Sequence, residues 1–397
     1  MADLGSNSNK KLRVGIIFGG RSAEHEVSLI SAKAVINAIN PEKYDVALIG
    51  ITREGRWISL GDAALTDGNK PDPQALMAPF AGINGSVPAS VQTALLPDPS
   101  ATKRGLAEIS EAGGSASLQF GMPVDVIFPV LHGPYGEDGT MQGLLELANV
   151  PYVGCGVLAS AVGMDKVTAR EVFKQHGLPV LEYFALKRKN WEKDPETREN
   201  LLDSIEAQMG YPCFVKPVNM GSSVGISKAR HRQELAQALD TACHYDRKIM
   251  VEKALNPREL EIAVLGNDEP QASVVGEIHI SQKSSFYSYT AKYQDNEVGF
   301  TVPADISPEL SDRLRALAIK AYEALDCAGL TRVDFFQDRD TGEIYLNEVN
   351  TIPGFTPVSM YPMMWEKTGL SYPDLVDRLI ELAIERHADK NRNELRV

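Results

Sequence analysis

The sequence is poor in cysteine and histidine, with four and seven in 397 residues. Cys155, Cys213, Cys243 and Cys327 lie far apart, with no C-x-x-C pair and no zinc-ligand spacing. That excludes a disulfide-stapled scaffold and a cysteine zinc site. Reduced thiols in a cytoplasmic protein are the expectation. Basic residues are in deficit, 40 against 53 acidic, for a net charge of −13. A protein that follows a nucleic-acid backbone normally carries the opposite sign, so no nucleic-acid partner is expected. No apolar run approaches the ~20 residues a membrane helix needs, so no membrane partner is expected either. Residues 1–11 lack a signal peptide's apolar core. Apolar residues at 43% and charged residues at 23% are ordinary for a folded chain. The length fits two or three domains.

Residues 12–18 read as an apolar strand that Gly19-Gly20 breaks. Val27, Ile30, Ala34 and Ala38 then recur at helical spacing, with Ser22 as the expected N-cap. A strand at 44–52 completes a βαβ start and predicts a parallel sheet. Residues 60–120 are rich in Gly, Pro, Ser, Ala and Asp and read as an insertion. A buried strand at 124–131 precedes a Gly-rich loop and a helix at 140–148. Past a boundary near 153–156 come a helix at 165–176, a strand at 180–186 and a polar connection at 187–195. A helix at 198–209, a strand at 213–217, a Gly-rich loop, a strand at 225–229, a helix at 232–244 and a strand at 249–255 follow. The remainder reads as strands at 259–265 and 272–280, a polar loop at 281–299, a helix at 308–327, a hairpin at 331–350 and a terminal helix at 372–387. The expectation is an α/β and α+β fold of three domains, 12–154, 155–255 and 256–390.

The hairpin carries the most chemistry. Strand side chains alternate faces, so Arg332 and Asp334 share one face, as do Glu348 and Asn350. A turn centred near Thr341 sets Asp334 opposite Glu348 and Arg332 opposite Asn350. Two carboxylates and an amide oxygen suit Mg²⁺, which also takes phosphate oxygens; the same residues also describe a salt-bridged strand pair. Thr351-Ile352-Pro353-Gly354 follows directly, and its turn brings backbone N–H groups to a place suited to an oxyanion.

Lys216-Pro217 leads into Gly221-Ser222-Ser223-Val224-Gly225. Small residues let a backbone approach an anion, and lysine adds charge. The loop is not a Walker A, since no G-K-[ST] closes it, and a plain hairpin turn fits it as well. Lys166 is a second lysine able to flank phosphates, or a surface residue. Residues 251–255 end an apolar strand where adenine and ribose are commonly met. The stretch Tyr289-Thr290-Ala291-Lys292-Tyr293 lies in a long polar loop that reads as a lid or as an aromatic anchor. Glu24 follows the first strand, where open α/β sheets bind ligands; it caps the helix or accepts an ammonium group. The loop after Leu131 supplies His132.

Eight segments in order carry a resemblance: 19–28, 131–139, Met164-Asp165-Lys166, Val215-Lys216-Pro217, 221–225, 289–293, Arg332-Val333-Asp334 and 348–356. Together they resemble the ATP-grasp superfamily and, within it, the D-alanine–D-alanine ligase family, over nearly the whole chain. The resemblance implies a Rossmann-like first domain and ATP between the other two. It implies Lys166 and Lys216 on the phosphates, and Glu252, Lys253, Leu255 and Glu259 on adenine and ribose. Ser223, Phe286 and Phe336 complete the nucleotide set, and Lys292 reaches the γ-phosphate. Asp334, Glu348 and Asn350 would bind two Mg²⁺, with Mn²⁺ able to replace them. Glu24, bonded to Ser222 and Tyr293, would orient the first D-alanine. Arg332 and the Gly354 N–H would hold the oxyanion, and Ser359 the second carboxylate, with His132 in the substrate set. A homodimer is also implied. Tyr at 293 goes with an amine acceptor in this family and Phe with D-lactate, so D-alanyl-D-alanine is the expected product and the D-lactate ester the alternative. An NAD-linked oxidoreductase lacks its G-x-G-x-x-G loop here. A non-catalytic nucleotide-binding module is opposed by the intact lysine and carboxylate set.

Overall fold

The computed structural model describes residues 11–59, 91–99, 106–112, 115–280 and 298–394. Phe286, Lys292 and Tyr293 lie outside the described residues, as does much of 60–120. The chain opens with β1 (Leu12–Gly19), α1 (His25–Ala38), β2 (Tyr44–Ile51), β3 (Trp57–Ser59), β4 (Val91–Leu95), β5 (Leu106–Ala112), β6 (Ser115–Met122), β7 (Val126–Val130) and α2 (Thr140–Leu147). One seven-stranded sheet runs β6-β5-β4-β3-β2-β1-β7. β1 lies parallel to both β2 and β7, as its unbroken apolar run requires of a strand covered on both faces. From β3 outward the pairing is antiparallel. The segment read as an insertion therefore extends the sheet edge. Polar and small residues interleave in β4, β5 and β6, so periodicity did not reveal them.

Ser22 does not cap α1. The helix starts at His25 with Glu24 in the N-cap position and no side-chain cap. The Ser22 hydroxyl donates to the His132 carbonyl at 2.6 Å and accepts the Glu24 N–H at 3.2 Å. A tertiary acceptor, invisible in local pattern, has claimed it.

The next unit comprises α3 (Val157–Met164), α4 (Lys166–Gln175), β8 (Tyr183–Lys187), α5 (Arg188–Trp191), α6 (Pro195–Met209), β9 (Cys213–Pro217), β10 (Ser227–Ala229), α7 (Arg232–Tyr245) and β11 (Lys248–Lys253). Its antiparallel sheet has the order β10-β9-β11-β8. α3 was not anticipated, because its small apolar residues carry no polar face to set a period. The polar connection at 187–195 holds α5, whose Trp191 is buried beneath the Arg198 guanidinium, 4.1 Å from the ring centre.

The last unit contains β12 (Pro257–Gly266), β13 (Gln271–Ile280), β14 (Val298–Thr301), α8 (Pro308–Ala324), β15 (Gly329–Asp338), β16 (Ile344–Asn350), α9 (Met360–Thr368) and α10 (Tyr372–Lys390). Its antiparallel sheet runs β14-β13-β12-β15-β16. The hairpin has the expected register, Arg332 opposite Asn350 and Asp334 opposite Glu348, with a bulge after Asp334. Four helices begin with an Asp or Ser side-chain cap, and α6 starts at Pro195, ahead of the expected 198. Asp165 accepts from Thr168 N, Asp194 from Thr197 N, Ser307 from Leu310 N and Ser371 from Asp374 N. α9 went unread because proline and aromatic residues obscure its period.

One apolar core joins β1, β7 and α1 to β12, β13, β15, α9 and α10. This shared core fixes the β1–α1 turn relative to the end of β16, and so brings residues from opposite ends of the chain to one place. All four cysteines are free and buried. Among the described residues no helix is long and apolar enough to cross a membrane.

Candidate active site

A cavity of about 660 Å³ opens between the sheet of β9 and β11 and the sheet of β12 and β15. That volume suits a nucleotide-sized ligand. Its wall includes Lys166, Lys216, Ser222, Ser223, Glu252, Lys253, Leu255, Glu259, Arg332, Asp334, Phe336 and Glu348. A smaller space of about 50 Å³ adjoins it, lined by Glu24, Glu137, Lys166, Gly221, Ser222, Arg332, Glu348 and Asn350. Lys166, Met220, Gly221, Ser222, Arg332 and Glu348 border both.

The hairpin supplies the acidic wall. The Arg332 guanidinium makes two bonds of 2.7 Å to the Asp334 carboxylate and a third contact of 3.1 Å to Glu261. Lys166 lies 3.3 Å from Glu348 and donates to the Met220 carbonyl at 3.0 Å. Enclosure pushes the Glu348 carboxyl up, but Lys166, Arg332 and Lys216 outweigh that and hold it down at about 2. The Asn350 amide oxygen accepts the Ile352 N–H at 3.1 Å.

Two carboxylates and an amide oxygen on adjacent strands form an all-oxygen donor set, which fits Mg²⁺. Among the described residues no three acidic or histidine groups cluster as a metal site by themselves.

The Gly-rich loop faces this wall from β9. Ser222 and Ser223 both adopt left-handed backbone, with φ of 47° and 58°. The Ser222 hydroxyl donates to the Glu24 carboxylate of the first unit. A Cβ on Gly221 would sit 3.0 Å from Glu24 Oε2, so a larger residue there would press the carboxylate back by a few tenths of an ångström. Asp246 holds the loop's base, accepting from Asn219 N at 2.6 Å and Asn219 Nδ2 at 3.0 Å.

His132 lines neither cavity. Its ring is buried, with Nδ1 at 2.9 Å from the Ile352 carbonyl and Nε2 at 3.2 Å from the Ser31 hydroxyl. It thereby ties the β7–α2 loop to the segment just before Gly354. Gly354 and Ser359 also lie outside both cavity walls. The Ser359 hydroxyl is engaged by Thr356, at 3.1 Å from its N–H and 2.8 Å from its Oγ1.

Glu137 was missed. It stands in the same Gly-rich segment as His132, and nothing in its local pattern marks its enclosure. The structure turns the glutamate to the small cavity, with Oε1 accepting the Gly133 N–H at 3.0 Å. Burial, aided by the Glu24 charge, pushes its carboxyl up to about 8. Arg170 was missed too, although it follows Lys166 by four residues and so shares its helix face.

Two antiparallel sheets clasping a nucleotide-sized cleft, with lysines on one wall and carboxylates on the other, define an ATP-grasp ligase architecture. The family model for the N-terminus of D-Ala–D-Ala ligases matches residues 13–155, and the model for the C-terminus matches residues 172–381. The D-alanine–D-alanine ligase of Geobacillus kaustophilus is 50% identical over 380 residues, covering 96% of each chain. The solved D-alanine–D-alanine ligase of Coxiella burnetii is 33% identical with a TM-score of 0.76, covering 96% of each chain. The VanG D-Ala:D-Ser ligase of Enterococcus faecalis is 39% identical with a TM-score of 0.78, covering 94% of this chain and all of its own. The chain belongs to the D-alanine–D-alanine ligase family.

Proposed function

We propose that this chain joins two D-alanine molecules, with ATP, into D-alanyl-D-alanine for cell-wall precursor synthesis in the cytoplasm, and acts as a homodimer. The observation that carries the reading is the meeting of Glu24 and Ser222 with Arg332, Glu348 and Asn350 around one small space that borders the larger cleft. An amino acid there has a carboxylate partner for its ammonium group and a cationic partner for its carboxylate.

A carboxylate is a poor electrophile, because oxide is a poor leaving group. Phosphoryl transfer from ATP makes an acyl phosphate; the second amino acid's amine attacks its carbonyl and phosphate departs. ATP is assigned to the cleft between the units 155–255 and 256–390. Lys166 and Lys216 hold its phosphates, and Lys253, Leu255, Glu259 and Phe336 the nucleoside end, with Glu252 and Ser223 beside them. Asp334, Glu348 and Asn350 would hold two Mg²⁺, which when bound neutralise phosphate charge. Arg332 stabilises negative charge on the reacting carboxyl group, with the Gly354 N–H. Glu24 orients the first ammonium group, fixed in turn by Ser222. Lys292 and Tyr293 are assigned to a cover that keeps water from the acyl phosphate. Ser359 is assigned to the second carboxylate, His132 to positioning the substrate loop and Phe286 to the nucleotide.

Phosphate release from Mg·ATP with D-alanine, L-alanine, D-alanine plus D-lactate, or D-alanine plus D-serine tests this, with products identified by mass. D-Alanine-dependent release with D-alanyl-D-alanine as product is expected. Only a mixed product with D-lactate or D-serine would reassign the acceptor, and no release with any of them would overturn the reading.

A further inference from the structure

Glu252 is a buried carboxylate with two cations. Its side chain is 3% exposed and pairs with both Arg170 from α4 and Lys216 from β9. The two partners are held differently. Arg170 is 1% exposed, lies outside the cavity wall, donates to the Leu181 carbonyl at 3.5 Å and lies against the Tyr183 ring. Lys216 is 11% exposed, lines the nucleotide-sized cavity and carries its charge on a flexible four-carbon stem. Lys166, on the same helix face as Arg170, is matched by Glu348. One carboxylate with two cations leaves one positive charge over, and the cation able to move is the one that faces the cavity.

We propose that Arg170 is the permanent counter-ion of Glu252, and that it exists to release Lys216 to the nucleotide phosphates. The inference rests on the nucleotide reading above and adds a positioning residue to it. When Lys216 turns to a phosphate, Glu252 stays buried and paired. Without Arg170 the same movement would strand a buried carboxylate, which takes up a proton rather than remain unpaired. Burial pushes Glu252 up, and Arg170 followed by Lys216 outweighs that and holds it below the ordinary carboxylate range. Tyr183, Glu252's register partner on β8, is bonded to Glu171, and Lys253 and Glu259 line the same cavity as Glu252.

The test is calorimetric titration of the full chain with Mg·ATP, without amino acid, at neutral pH in two buffers of different ionisation enthalpy. Arg170→Met is expected to weaken binding by about tenfold or more and to take up about one proton per nucleotide beyond the wild type. Arg170→Lys should restore wild-type proton counts. Adding Glu252→Gln to Arg170→Met should abolish the extra uptake, which a purely packing role for Arg170 would not do. Lys216→Met provides an arm that leaves Arg170 and Glu252 paired. It should melt cooperatively near the wild-type temperature while binding Mg·ATP about tenfold or more weakly. Unchanged proton counts in Arg170→Met, or loss of the folded state in Lys216→Met, would overturn the proposal. Wild-type protein that fails to bind Mg·ATP would instead remove the nucleotide reading itself, and this inference with it.

Discussion

The Ser222 hydroxyl donates to the Glu24 carboxylate across 198 residues of sequence. The bond joins the Gly-rich loop of one sheet to the first helix of another. Ser222→Ala is therefore expected to lower kcat/KM for D-alanine by roughly tenfold or more while leaving ATP binding nearly intact, since a charge-assisted bond is worth about 1.5–3 kcal/mol. Steady-state phosphate release against D-alanine concentration reads this. Equal kcat/KM in the variant would mean the bond does not position Glu24.

Glu348→Gln should abolish turnover and keep the fold. The carboxylate sits beside Lys166 and opposite Asp334, at the rim shared by both cavities. Replacing the carboxylate with an amide takes a negative charge and one of its two oxygens from the donor set and leaves the core untouched. Circular dichroism and product formation measured together check this, and full activity would contradict the metal assignment.

Gly225→Ala should destabilise the chain by about 1–3 kcal/mol. Its φ is +74°, and an added Cβ would meet Tyr245 at 2.6 Å and Pro217 at 2.8 Å. Because the clash distorts the loop after Lys216, nucleotide affinity should fall alongside the melting temperature. A variant that melts and binds like the wild type would refute the strain argument.

Glu137 gives a pH signature. Its folded pKa is raised to about 8 from an ordinary 4.5. Between those values the folded state holds a proton that the unfolded state has released. The group's contribution to stability therefore declines as pH rises through that window, by up to roughly 1.4 kcal/mol per unit. Glu137→Gln keeps the shape without the titration. It should gain stability relative to the wild type as pH goes from about 5 to about 8, measured by denaturant melts. Parallel pH profiles would show that Glu137 does not carry the raised pKa.

Tyr293→Phe should raise ester formation with D-lactate relative to dipeptide formation. The expectation comes from the acceptor pattern of the family at this position. An unchanged product ratio, measured by mass with both acceptors present, would count against it.

Local sequence determined the elements whose own residues decide their form. The apolar runs of β1 and β7 and the 331–350 hairpin with its register follow from period and turn chemistry. The order of the short motifs likewise carried the family. What sequence could not decide depends on long-range contacts. Ser22 reads as a cap until the His132 carbonyl claims its hydroxyl. His132 sets its ring between the Ile352 carbonyl and the Ser31 hydroxyl, while Glu137 of the same segment lines the smaller cavity, and neither placement is visible in local pattern. Arg170 carries no local sign of its role, since its partner Glu252 lies 82 positions further along the chain and only folding brings the two together. A side chain's protonation and partners depend on what burial leaves beside it, and only the packing of the three sheets fixes that.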